Sequence, residues 1–143
     1  MWSAETVFVC ALALLGRTER SFPPVQFVES PPPGLSQFVA GYTPDGESRI
    51  VLVTSTSAFR RARLAIDHCG NVEALREVAG VLAHEEWHVR HGRDEKGAYD
   101  AQLIALLSVG ASASGPLFHE VMRAKLAVTH ASKRVAGVRS RLD

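Results

Sequence analysis

The twenty residues from Val72 to His91 restrict what this chain can fold into more than any other stretch. Asn71 offers an N-cap oxygen, Glu73 puts a carboxylate in the first turn and Gly92 supplies a stop, so the spacing predicts one helix over 72–91. At about 100° per residue, Leu75, Val78, Ala79, Leu82 and Val89 fall on one stripe. His84, His88 and His91 fall on the far side, within about 60° of one another by the same periodicity. One face must pack, and the other presents imidazoles. The packing face needs a core, and 143 residues with 46 % hydrophobic and 22 % charged content match one globular domain. A domain of this size buries roughly two thirds of its unfolded surface and needs no disulfide to do so.

The other segments arrange around that helix. Thr6 to Leu15 is an apolar run that reads as a first core helix ending near Gly16. It has half the roughly 20 residues a membrane span needs, and Glu5 stands where a signal peptide carries a basic residue, so no membrane association is expected. Prolines 23–24 and 31–33 bracket Val25–Val28, which suits an edge strand or a covering segment. Gln37–Tyr42 and Arg49–Thr54 are β-rich runs joined by Thr43-Pro44-Asp45-Gly46, with proline set for the second turn position and glycine for the fourth. That pattern predicts an antiparallel hairpin. Helices are expected from about Ala58 to His68, over 72–91, from Asp94 and Glu95 to about Ser108, and from Leu117 to about Val135.

The expected architecture is therefore one α+β domain over 1–143. An N-terminal helix occupies 1–20, a small antiparallel sheet of about three strands lies in 21–56, and the helical part fills 57–143. Cys10 and Cys69 are too few for a disulfide scaffold and are expected as reduced thiols in a cytoplasmic protein. The balance of 16 Lys and Arg against 15 Asp and Glu removes the global basic field of a dedicated nucleic-acid binder, so nucleic acid is not the expected partner.

Chemistry concentrates in His84-Glu85-Glu86-Trp87-His88. Histidines four apart stand one helical turn above each other, so His84 and His88 can offer nitrogens to one ion about 2 Å from each. Glu85, rotated about 100° from His84, can reach water at that ion without taking a ligand position. Trp87 sits at the rim of the helix, where it is expected to pack against a following helix.

This His-Glu-x-x-His segment resembles the zincin metallopeptidases, most closely their compact gluzincin-like branch. The resemblance covers roughly Arg49 to Leu103 in architecture and His84 to Tyr99 in motif. It implies a minimal zincin-like fold, a Zn²⁺ cofactor held by His84, His88 and a third ligand, and Glu85 as general base. For the third ligand, Glu95 is favoured over His91, Asp94 and Asp100. Glu95 lies beyond the Gly92 turn, opens a new helix, and begins Glu95-Lys96-Gly97-Ala98-Tyr99, which resembles the Glu-x-x-Ala-Tyr type segments of such proteins. Asp94 has the metzincin-like spacing from His84, but His91 stands where that pattern needs glycine. His91 flanks the cleft rather than crowding a third ligand onto one straight helix. Asp100 is either an acceptor for a histidine N–H or a solvated carboxylate.

Tyr99 is the nearest candidate oxyanion donor, the alternative being an aromatic packed under the helix pair. His119 and His130 are weaker candidates for the same task. The implied activity is zinc-dependent hydrolysis of a peptide bond in a peptide or protein substrate. A second function class is an inactive zincin-like or structural-zinc interaction module. Arg123, Lys125, Lys133, Arg134, Arg139 and Arg141, against only Glu120 and Asp143, would then give it a basic tail for an acidic partner or nucleic acid.

Overall fold

The side chain of Ser3 accepts the amide of Thr6 and starts helix α1 (Ala4–Leu14), the expected N-terminal helix. Val7, Phe8, Ala11 and Leu12 of α1 are buried in the main core. The computed structural model describes the backbone of residues 1–142 and the side chains of residues 1–130. Three short strands follow, β1 (Val25–Val28), β2 (Gly41–Tyr42) and β3 (Ile50–Val53), and they form one sheet in the order β1-β3-β2. All four residues of β3 are buried, as a central strand covered on both faces requires, and its apolar run has no polar alternation.

The sheet departs from the antiparallel arrangement expected. β2 pairs antiparallel with β3, as the hairpin reading predicts, but β1 pairs parallel with β3 in the register Val25↔Ile50 to Val28↔Val53. Residues 29–40, with their three prolines, carry the chain from one side of β3 to the other, so the sheet is mixed and β1 is an edge. β2 is also shorter than its sequence run. Val39 N–H donates to Ser36 O and Phe38 N–H to Ser36 Oγ, which commits 36–39 to turns. The hairpin turn is shifted by one residue, with Glu47 N–H donating to Pro44 O and Gly46 at φ 73°.

Helix α2 (Ser57–Arg63) stops five residues before the expected His68. Its end is held by the N-terminus: Trp2 N–H donates to Arg63 O, Trp2 Nε1 to Ala65 O, and Arg63 Nε to Trp2 O. The segment so released carries Cys69, whose sulfur is bonded to that of Cys10. This corrects the expectation of reduced thiols, and with it the ground for placing the chain in the cytoplasm. Two cysteines 59 residues apart say nothing of their distance in space, and only the packing of α1 beside the end of α2 brings them together. Among the described residues no helix is long and apolar enough to cross a membrane.

Helix α3 (Val72–His91) has the predicted bounds, with Asn71 Oδ1 accepting Ala74 N–H at its start. Leu75, Val78, Ala79 and Leu82 are buried against α1, α2 and the sheet, and Val89 packs at the edge of the same core. Helix α4 (Glu95–Ser108) is capped by Asp94, whose side chain accepts Gly97 N–H, and helix α5 runs over Pro116–Leu142. Leu103 and Leu106 of α4 with Val121 of α5 form a second, smaller core. Helix α3 is thus clamped between the main core and α4, and this arrangement positions the site.

Candidate metal centre

The face of α3 opposite its core stripe lies under α4 and the strand β2 rather than open to water. His84 and Glu85 are only 8 % and 6 % exposed. Gly92, at φ 82°, takes a conformation that costs little without a Cβ, and it reverses the chain at the end of α3. Three residues later Glu95 starts α4 with its carboxylate turned back onto the histidines. Its Oε1 is 2.6 Å from His88 Nε2, and its Oε2 is 3.5 Å from His84 Nε2. One donor atom from each of His84, His88 and Glu95 lies within 4.8 Å of the others.

Both rings are oriented from behind. His84 Nδ1 is 2.9 Å from the amide oxygen of the buried Gln102, and His88 Nδ1 is 2.7 Å from Gly92 O. Each Nδ1 is engaged by its acceptor, so it is the Nε2 atoms that face Glu95; the close contact of His88 Nε2 with the carboxylate is held by a proton that a metal would replace. Two imidazole nitrogens and one carboxylate, with their ring tautomers set by neighbours, fit the three-ligand Zn²⁺ set that keeps a position open. Of the four candidates for the third ligand, Glu95 is the one whose carboxylate stands against both histidines. His91 is exposed and stacks on Trp87, with ring centroids 3.9 Å apart. Asp94 serves as the helix cap, and Asp100 pairs with Lys125 at 2.5 Å. The acceptor role considered for Asp100 falls to Gln102 and Gly92.

Electrostatics follow from the same contacts. Contacts from His84 and His88 pull the Glu95 carboxyl down to about 2, and the hydrogen bond with Glu95 raises His88 to about 9. The carboxylate thus demands positive charge beside it, which a proton or a divalent cation can provide. Burial raises the pKa of Glu85, partly offset by the two histidines and by Thr43. Thr43 Oγ1 stands 3.0 Å from Glu85 Oε1 and 3.2 Å from Glu85 O, fixing the side chain beside the cluster. Tyr99 packs edge-on against His84 at 4.6 Å between centroids and lines the same cleft, and burial raises its phenol.

The cleft holds about 1240 Å³ and is walled by residues 35–48 on one side and by α5 on the other. Outside it, Glu86 ties α3 to Arg17 and pairs with Arg90 one turn along the same helix; burial would raise its carboxyl, but the two arginines bring it below the usual range. Trp87 lies over Gly97 of α4, where a Cβ would meet the indole at 2.5 Å, so the expected packing against a following helix is met there. His119 and His130 are exposed and are not among the cleft-lining residues. Of the basic tail, Lys125 is engaged with Asp100, while the side chains of Lys133, Arg134, Arg139 and Arg141 lie outside the described residues.

Sequence reasoning missed Thr43 and Gln102. Thr43 lies just before the hairpin turn and carries no local signal. Gln102 had one, because Glu95, Tyr99 and Gln102 are spaced i, i+4, i+7 on α4, and a glutamine on a helix stripe shared with Ala98 and Leu106 calls for a polar partner. Comparison with protein-family models, with curated proteins and with solved structures finds no match.

Proposed function

We propose that this chain is a zinc-dependent peptidase of zincin-like type. The observation that carries the reading is the convergence of His84 Nε2, His88 Nε2 and the Glu95 carboxylate, with both Nδ1 atoms committed to other partners. A Zn²⁺ held there would polarise a carbonyl and acidify water. Glu85 takes the proton of the attacking water and delivers it to the leaving amine. Its burial suits the first step, because a carboxyl raised above its ordinary value takes up a proton better than an exposed one. Thr43 keeps that carboxyl aimed at the cleft. Tyr99 donates its phenolic hydrogen to the developing oxyanion, and its raised pKa keeps the hydrogen in place.

The cleft runs between residues 35–48 and α5, a shape that suits an extended stretch of polypeptide. The test is zinc analysis beside hydrolysis of an unstructured polypeptide, in wild type and in His84→Ala. One zinc per chain and measurable cleavage, both lost in the variant, are expected. Wild type without zinc, or cleavage that survives His84→Ala, contradicts the reading.

A further inference from the structure

A second group of metal-binding side chains meets at the opposite end of α3. Cys10 of α1 and His68 and Cys69, from the segment between α2 and α3, each offer a donor atom, all within 4.8 Å of one another. His68 Nε2 lies 3.9 Å from Cys10 Sγ and 3.8 Å from Cys69 Sγ. With zinc–sulfur bonds of about 2.3 Å and zinc–nitrogen bonds of about 2.1 Å, two ligands on a tetrahedron are separated by about 3.6 Å for sulfur and nitrogen. The nitrogen therefore already stands near a tetrahedral edge from both sulfurs. Only the two sulfurs, bonded to each other here, are too close, and a tetrahedral site would set them about 3.8 Å apart.

The surroundings favour both opening and capture. Cys10 is 4 % exposed, but Cys69 is half-buried and His68 is exposed, so an incoming thiolate reaches the Cys69 sulfur. Cys69 sits at φ 55°, a region uncommon for a residue with a Cβ. The turn it makes sets its sulfur beside the ring of its own neighbour, 3.6 Å from His68 Nδ1. Trp2 meets the His68 ring edge-on at 5.3 Å and backs it.

We propose that Cys10, His68 and Cys69 form a redox-gated metal site that holds Zn²⁺ when the disulfide is reduced. A thiolate of a thiol or dithiol reductant attacks Cys69 Sγ, forming a mixed disulfide and releasing Cys10 as a thiolate. A second reductant thiol then displaces Cys69, so that the protein disulfide gains two electrons and two protons while two reductant thiols become one disulfide. Zinc binding by the two cysteine sulfurs and the neutral imidazole releases those two protons to solvent. Solvent fills the fourth position, since His68 is exposed. The link between α1 and the α2–α3 segment is then kept in both redox states, covalently in one and through the metal in the other.

Cobalt(II) is the probe, because sulfur-to-cobalt charge-transfer absorption in the near ultraviolet arises only from thiolate ligands and is silent for a histidine and carboxylate site. The full chain is reduced without unfolding under anaerobic conditions, its thiols are counted with a chromogenic disulfide, and Co²⁺ is titrated in. Two titratable thiols, the charge-transfer band, and one metal more per chain than in the oxidised protein are expected, whatever the oxidised protein binds. Zn²⁺ should displace the cobalt and abolish the band. His68→Ala alters an exposed side chain and should keep both thiols, while weakening the added metal by at least the roughly tenfold to hundredfold that loss of even an orienting partner costs. Thiols that resist reduction in the folded chain, two free thiols without the band, or a band unchanged in His68→Ala would each overturn the proposal.

Discussion

The two ends of α3 carry two three-donor clusters that are assembled in opposite ways. At the C-terminal end, His84 and His88 come from α3 and Glu95 from the first position of α4, so one helix, its stop and the start of the next bring the donors together. At the N-terminal end, Cys10 meets His68 and Cys69 across most of the first half of the chain, and only the packing of α1 beside α2 closes that loop. The first cluster has His84 buried and His88 and Glu95 half-buried, is oriented by Gln102 and Gly92, and faces a cleft. The second borders solvent and is joined by a bond that a thiol can open. A cluster built from local geometry, with donors turned into a cavity, suits chemistry on a ligand. A cluster that ties distant segments at the surface suits a link that holds the fold.

That contrast can be broken in several places. The largest effect is expected from His88→Ala, which should take bound zinc from one per chain to background and hydrolysis with it, while leaving the disulfide and the circular-dichroism spectrum in place. Metal analysis on the folded variant decides it, and retained zinc would mean that the C-terminal cluster is not the binding site. Next comes reduction in the presence of a chelator. Opening a link between residues 59 apart should lower the unfolding free energy by about 4 kcal/mol, read from the urea midpoint. An unchanged midpoint would remove the role given to the N-terminal cluster. Gln102→Leu keeps the packing volume but takes the acceptor from His84 Nδ1, and zinc affinity should fall roughly 10- to 100-fold in competition with a chromophoric chelator. Smallest is Thr43→Val, which removes one hydrogen bond to Glu85 and should lower kcat by about 2- to 10-fold with zinc content unchanged.

The same contrast explains what was legible in the sequence. The bounds of α3, its core stripe and the Gly92 stop follow from periodicity and capping, and they carry the histidine pair and the return of Glu95 with them. The α+β class followed from β-rich runs preceding helical ones. Pairing partners did not. Prolines leave Val25–Val28 as an edge strand or a covering segment, and nothing in it states that it runs parallel to β3, because direction is set by the path of residues 29–40. The end of α2 was misplaced because Trp2 and Arg63, 61 residues apart, compete for the backbone there. The pairing of Cys10 with Cys69 is hidden for the same reason, since loop closure over such a distance leaves no local mark. Thr43 reaches Glu85 only after the hairpin has folded over α3.

The proposed mechanism divides labour inside one helix: His84 and His88 would hold metal and Glu85 between them would move protons. Zinc content and polypeptide hydrolysis measured together on Glu85→Gln test that division most directly. The amide is nearly isosteric, so the variant should fold, bind one zinc per chain like wild type, and lose roughly 10²- to 10⁴-fold in kcat. Hydrolysis at the wild-type rate with zinc bound would contradict the role given to Glu85, and with it the reading of this cleft as a peptidase site.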